Sequence, residues 1–155
     1  MSGEDTVLTR EKFDELVAEL DNLKTVRRTE IAESLEYARS LGDLSENAEY
    51  QEARELQAAT EERIRKLEDI IKRAKIISHK KSDVVDFGSE VTIVKVGDKE
   101  KHDYIIVGSE EADMRSRKIS HVSPLGSAMM GKKKGDEFDF KTPSGKQQYK
   151  IVSVK

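Results

Sequence analysis

From Thr9 to Lys75 the chain carries no proline and a single glycine, Gly42, while its apolar residues recur every three or four positions. A stretch that long, with that period and one interruption, folds as two helices. In the first, Phe13, Leu16, Leu20 and Leu23 keep a 3,4,3 rhythm, and Ile31, Leu35 and Ala38 resume it after an eight-residue gap containing Val26, Arg27 and Arg28. The pattern reads as a coiled-coil seam with a stutter. Ala53, Leu56, Thr60, Ile64, Leu67, Ile71 and Ala74 form a matching stripe in the second helix. The turn between them, centred on Leu41-Gly42-Asp43, is short enough to force the helices antiparallel. With about 30 residues to an arm and about 1.5 Å per residue, the hairpin projects roughly 45 Å. Thr9 is placed to cap the first helix and Gly42 to close it, and Asp43 followed by Glu46 reads as the cap of the second.

From Val84 the texture changes to short β-prone runs broken by Gly and Asp: Val91 to Val96, Tyr104 to Val107, Lys118 to His121, Phe138 to Phe140, and Tyr149 to Val154. These read as antiparallel strands. Ser123-Pro124-Leu125 opens a short helix, Ser as N-cap and Pro at the first helical position, and Gly131 closes it. Ser78 to Asp83, polar and Lys-rich, reads as the linker. The expected fold class is therefore α+β: a helical hairpin over 1–77 with its acidic tip near 42–50, then a small sheet domain with a short helix over 84–155.

Composition narrows the function. Charged residues make up 38% of the chain and aromatic ones 5%, with no Trp, which argues for solvent-washed helices rather than an aromatic-lined small-molecule pocket. The absence of Cys excludes disulfides, thiolate metal sites and thiol nucleophiles. With no signal-like segment and no apolar run near the roughly 20 residues a membrane helix needs, a soluble cytoplasmic protein is expected. Residues 1–75 hold 13 Lys and Arg against 19 Asp and Glu, and the remainder holds 15 against 12. No unbroken basic face is implied, so nucleic acid is expected to be met through another protein. His79, His102 and His121 are scattered without metal-ligand spacing.

The chemistry-bearing segment is Gly42-Asp43-Leu44-Ser45-Glu46-Asn47-Ala48-Glu49-Tyr50. Three residues apart at a helix start, Asp43 and Glu46 have capping-box spacing. Against that reading, Leu44 is an apolar residue at an exposed apex, and two carboxylates are offered far from any compact core; such an apex is more often a contact site. Mg²⁺ takes one or two carboxylates alongside water and substrate phosphate, so the pair would bind it weakly alone. Beside a partner that already holds a metal at a phosphodiester, it would complete a two-metal arrangement for in-line hydrolysis.

These residues, followed by Ala53-Arg54-Glu55, Val107-Gly108-Ser109-Glu110-Glu111-Ala112-Asp113, Ile119-Ser120, Ser123-Pro124-Leu125, Gly131-Lys132, Gly135-Asp136 and Thr142-Pro143-Ser144-Gly145, carry a resemblance over nearly the whole chain. The sequence is similar to the GreA branch of the Gre family of bacterial transcript cleavage factors. The resemblance implies a coiled coil inserted through the secondary channel of RNA polymerase and an FKBP-like domain holding the largest subunit's coiled coil at the channel rim. It implies a transcription elongation factor that is no enzyme itself. The polymerase's own endonucleolytic activity is stimulated to cleave the 3′ end of backtracked RNA, so that arrested complexes resume. No cofactor of its own is implied, only Mg²⁺ shared with the polymerase, and the factor acts as a monomer with DNA met indirectly. By residue match, Asp43 and Glu46 assist the metal; Arg39 and Arg54 steady the RNA 3′ end, with Leu44, Ser45, Asn47 and Tyr50 as further tip contacts. Asp113, Ser123 and Pro124 are matched to polymerase binding. The alternative for Arg39 and Arg54 is solvated helix charge paired with Glu36 and Glu52, and for Ser123 and Pro124 simply a helix start.

Departures from the family pattern are Ser45 where many relatives carry Lys, Thr29 for a frequent Pro, and Gly126 with Met129-Met130 in a helix that often holds Ala and aliphatics. Rival functions fit less well. A prolyl isomerase needs an aromatic-lined pocket, whereas the second half offers only Phe87, Tyr104, Phe138, Phe140 and Tyr149, with Phe138 and Phe140 on one strand face. A passive channel-plugging inhibitor is expected to alter the tip carboxylates, and a structural rod would have no use for Gly42.

Overall fold

A computed structural model of the chain describes residues 5–42 and 47–155. Two compact units divide it: Glu11–Ala74, and residues 75–155 together with the N-terminal residues up to Arg10.

The helical unit runs α1 (Arg10–Asn22), a π-helical turn (Leu23–Arg27), α2 (Arg28–Ser40) and α3 (Ala48–Lys72). The π turn is the structural form of the eight-residue gap. A π turn holds one residue more than an α turn needs, and the Arg28 N–H accordingly reaches back to the Leu23 carbonyl. Around it, the Thr25 hydroxyl donates to the Asp21 carbonyl at 2.8 Å and the Thr29 hydroxyl to the Thr25 carbonyl at 3.0 Å. Leu16, Ile31, Leu35 and Ala38 are buried before the tip, as are Ala53, Thr60, Ile64, Leu67 and Ile70 after it. Three members of the expected α3 stripe differ, Ala74 because the helix ends at Lys72 and Ala74 itself starts a strand. Leu56 is exposed at the edge of a shallow dip shared with Ser34 and Tyr37, and past Leu67 the helical phase turns Ile70, not Ile71, inward. The Arg28 guanidinium grips Glu61 with two bonds of 2.8 Å, and nearer the tip the Asn47 amide meets Ala38. As residue number rises along α2 its partner's number falls along α3, so these two helices run antiparallel.

The other unit starts with β1 (Thr6–Thr9), paired with β2 (Ala74–Ile77). The sequence placed 1–77 in one piece; residues 5–10 and 75–77 instead cluster with the sheet domain. The reason is burial and bonding: Leu8 is fully buried, and Thr9 gives its N–H and hydroxyl to Glu111 Oε1 at 3.1 and 2.9 Å. The strands β3 (Glu90–Lys95), β4 (Lys101–Val107), β5 (Lys118–Ser120), β6 (Glu137–Thr142) and β7 (Gly145–Val154) form one sheet in the order β5-β4-β3-β7-β6. Its pairs are antiparallel except one. β5 lies parallel to β4, Ile106 opposite Ile119, which departs from the all-antiparallel expectation. Residues 108–117 form a crossover with two 3₁₀ turns, long enough to return the chain in the same direction. The short helix α4 (Pro124–Met129) packs across both edge strands, so the sheet curls about it. Val85, Val91, Ile93, Ile106, Ile119, Met129, Phe138 and Ile151 make the core between them.

Candidate functional site

Both chain ends that flank the tip are held by local chemistry. At the end of α2, Leu41 is the C-cap; Gly42 follows with φ +93, a conformation that costs glycine nothing, and its N–H donates to the Arg39 carbonyl at 3.2 Å. At the start of α3 the N-cap is Asn47: its side-chain oxygen accepts from the Tyr50 N–H at 3.0 Å. The cap of α3, expected at Asp43 with Glu46, is Asn47. The same side chain reaches the other arm, its Nδ2 donating to the Ala38 carbonyl at 2.9 Å. Asp43, Leu44, Ser45 and Glu46 lie outside the described residues.

The other tip residues divide by what they touch. Tyr50 is half-buried and packs on Ile31, Leu35 and Ala53, so its ring belongs to the seam between α2 and α3. Arg39 stays exposed with its guanidinium carbon 6.0 Å from the Tyr50 ring centre. Arg54, also exposed, donates to Gln57 at 2.9 Å. The pairs with Glu36 and Glu52 considered from sequence do not form among the described residues.

In the sheet unit, Asp113, Ser123 and Pro124 come together at one groove of about 440 Å³, although the first is well separated in sequence from the other two. Asp113 caps a 3₁₀ turn, accepting from the Arg115 N–H at 3.0 Å and the Ser116 hydroxyl at 3.1 Å. Ser123 caps α4 by accepting from the Gly126 N–H at 3.0 Å, while its hydroxyl donates to the Ser120 carbonyl at 2.6 Å. Pro124 stands at the first helical position, as read. Met114, Leu125, Phe140 and Pro143 complete the groove's apolar lining. Sequence reading missed Met114, whose 64% exposure is a sign only the structure gives. Phe140 is the one aromatic in the groove's lining among the described residues: Phe138 stacks on Tyr149 at 6.0 Å in the core, and Phe87 lies against His121 at 4.7 Å. A proline-binding aromatic pocket is therefore not formed by these side chains.

Among the described residues no three His, Asp or Glu converge as a metal site, and no helix is long and apolar enough to cross a membrane. Asp43 and Glu46, the two tip residues that the resemblance assigns to a metal, are hard oxygen donors by type. Two carboxylates fit a Mg²⁺ ion whose remaining ligands come from water, phosphate or a partner.

Comparison with known proteins gives the same outline at both ends of the chain. Residues 6–76 match the family described as "Transcription elongation factor, N-terminal", and residues 80–155 match "Transcription elongation factor, GreA/GreB, C-term". The chain is 45% identical over 150 residues to transcription elongation factor GreA of Geobacillus kaustophilus, covering 96% of this chain and 95% of that one. It is 44% identical over 156 residues to GreA of Acetivibrio thermocellus, covering 99% and 98%. Among solved structures it is similar to GreA factor homolog 1 (Gfh1) of Thermus thermophilus, at 28% identity and a TM-score of 0.46, covering 98% of this chain and 99% of that chain.

Proposed function

The chain belongs to the GreA/GreB family of transcription elongation factors, and from that premise we propose that it rescues arrested transcription by lending Asp43 and Glu46 to the active site of RNA polymerase. The observation that carries this reading is the Asn47 cap. Were the Asp43-x-x-Glu46 spacing there to start α3, the cap would be Asp43; the residue that caps α3 is Asn47.

The division of labour follows from the two units. The α2–α3 pair, read as a coiled coil, enters the secondary channel. The sheet unit, read as FKBP-like, grips the coiled coil of the polymerase's largest subunit through the groove of Asp113, Met114, Ser123 and Pro124. Apolar lining with a few fixed polar groups suits a helical partner. At the tip Asp43 and Glu46 supply negative charge where the second cation of the polymerase must be held, and Arg39 and Arg54 present positive charge toward the extruded RNA 3′ end. When bound there, Mg²⁺ activates water for in-line attack on the phosphodiester. The chain acts as a monomeric cytoplasmic accessory rather than an enzyme, since it brings carboxylates but no complete site.

The test is an artificially backtracked elongation complex supplied with the parent protein, Asp43→Asn or Glu46→Gln. Both replacements keep size and remove charge. Cleavage of short 3′ RNA fragments should fall about 10²- to 10³-fold, the loss typical of one electrostatic contact to the transition state. Melting temperature should hold, and added Mg²⁺ should partly restore Glu46→Gln. Variants that melt lower yet cleave at the parent rate would return the pair to a structural role.

A further inference from the structure

Asn47 was matched from sequence to a tip contact, but its side chain in the structure bonds within the protein. Its Oδ1 accepts from the Tyr50 N–H at 3.0 Å, on its own helix, and its Nδ2 donates to the Ala38 carbonyl at 2.9 Å, on the opposite helix. The second bond is not part of capping. A serine or aspartate would cap α3 as well, and neither offers an amide to the other arm. The Ala38 carbonyl also accepts from the Leu41 N–H at 3.3 Å, so the bond falls on the turn of α2 that hands the chain to Gly42. The methyl of Ala38 itself is buried in the seam, which fixes that turn from the inside.

We infer that Asn47 is a positioning residue: a clasp that locks the last turn of α2 to the first turn of α3 and so fixes both ends of the four-residue segment carrying Asp43 and Glu46. This rests on the metal-assisting reading of those two carboxylates. The physical need is plain. Two carboxylates must meet a partner's cation within a fraction of an ångström, and misplacement of about 1 Å can cost up to about 10²-fold in rate. A segment whose two ends drift relative to each other cannot hold that geometry. The clasp is unlike a simple cap because it couples residues 38 and 47 across the hairpin.

Two variants separate the roles. Asn47→Ser keeps an N-cap oxygen and loses the reach to Ala38; Asn47→Ala loses both. Asn47→Ser should melt near the parent temperature, yet its maximal cleavage rate on a backtracked complex should fall about ten- to a hundred-fold and its half-maximal Mg²⁺ concentration should rise. The factor concentration giving half-maximal effect should stay at the parent value, since the groove that grips the polymerase is untouched. A merely structural role would move that concentration and the melting temperature together, and would be repaired by adding more factor. In the free protein, the Asn47 side-chain amide protons should exchange slowly with solvent; an asparagine reserved for RNA would exchange them freely. The inference is overturned by free exchange of those protons or by parent-like cleavage of Asn47→Ser. Asp43→Asn is run alongside: if it also cleaves like the parent, the carboxylate reading has failed, whereas a silent Asn47→Ser beside a dead Asp43→Asn refutes the clasp alone.

Discussion

Gly126 shows what a single methyl group would do here. It sits in α4 where that helix passes the end of β5, and a Cβ at this position would fall inside contact distance of the Ser120 backbone carbonyl and 2.9 Å from the Ser123 hydroxyl. Both neighbours belong to the hydrogen-bonded start of α4, so neither can yield without breaking the Ser123 cap. Gly126→Ala should therefore destabilise the sheet unit by about 1 to 3 kcal/mol, the usual range for overpacking, and lower its melting temperature by several degrees. Unchanged melting would show that α4 shifts freely. At this scale the sequence was partly ambiguous for a physical reason. Asp43 and Asn47 are both good N-cap residues one helical turn apart, so local pattern does not choose between them, and the Asn47 bond to Ala38 is a tertiary contact that no local pattern announces.

At the scale of elements, the hairpin was legible because periodicity is a direct consequence of helical geometry. The eight-residue gap even carried the π turn, since seven residues continue a heptad and the eighth must be accommodated somewhere. Removing Val26, an exposed residue of that turn, should convert it to α-helix with little loss of stability. Inserting an alanine beside it, which makes the gap nine, should cost more; helix signal on heating checks both, and a deletion as damaging as the insertion would refute the accommodation. Acid response belongs here too. The Glu19 carboxyl is held below its ordinary 4.5 by the hydrogen bond from Arg63, against a smaller opposing push from burial. A folded-state value lower than the unfolded one means the stabilisation is complete above 4.5 and lost as pH falls through the lowered value. The pair is well exposed to solvent, so the effect is modest. Melting of the helical unit should fall as pH drops below about 4.5, and Glu19→Gln should flatten part of that fall. The strand β5 was legible at Lys118 to His121, but its parallel direction was not. It has three residues, too few for alternation to show direction, and its partner is chosen by a crossover whose 3₁₀ turns carry no strong sequence sign.

At the scale of the whole molecule, the claim is that gripping and assisting reside in different units, which makes them separable by mutation. The groove gathers Asp113, Ser123 and Pro124 from two connections, a convergence only the fold reveals. The tip motif, by contrast, is contiguous and was readable in the chain. Purified protein without polymerase should leave RNA intact at any Mg²⁺ concentration, because two carboxylates do not complete a two-metal site. The sharper expectation concerns mixtures. Asp43→Asn should bind polymerase as the parent does and, in excess, displace it, so cleavage by a fixed amount of parent should fall in proportion to the share of polymerase the variant holds. The change Met114→Ser or Pro124→Ala alters the groove while leaving the tip alone; combined with Asp43→Asn, either should weaken that competition. The single groove variants should still reach the parent's maximal cleavage rate once enough factor is added. Should Asp43→Asn fail to compete while remaining folded, the tip would itself be a main source of affinity, and the assignment of gripping to the sheet unit would be wrong.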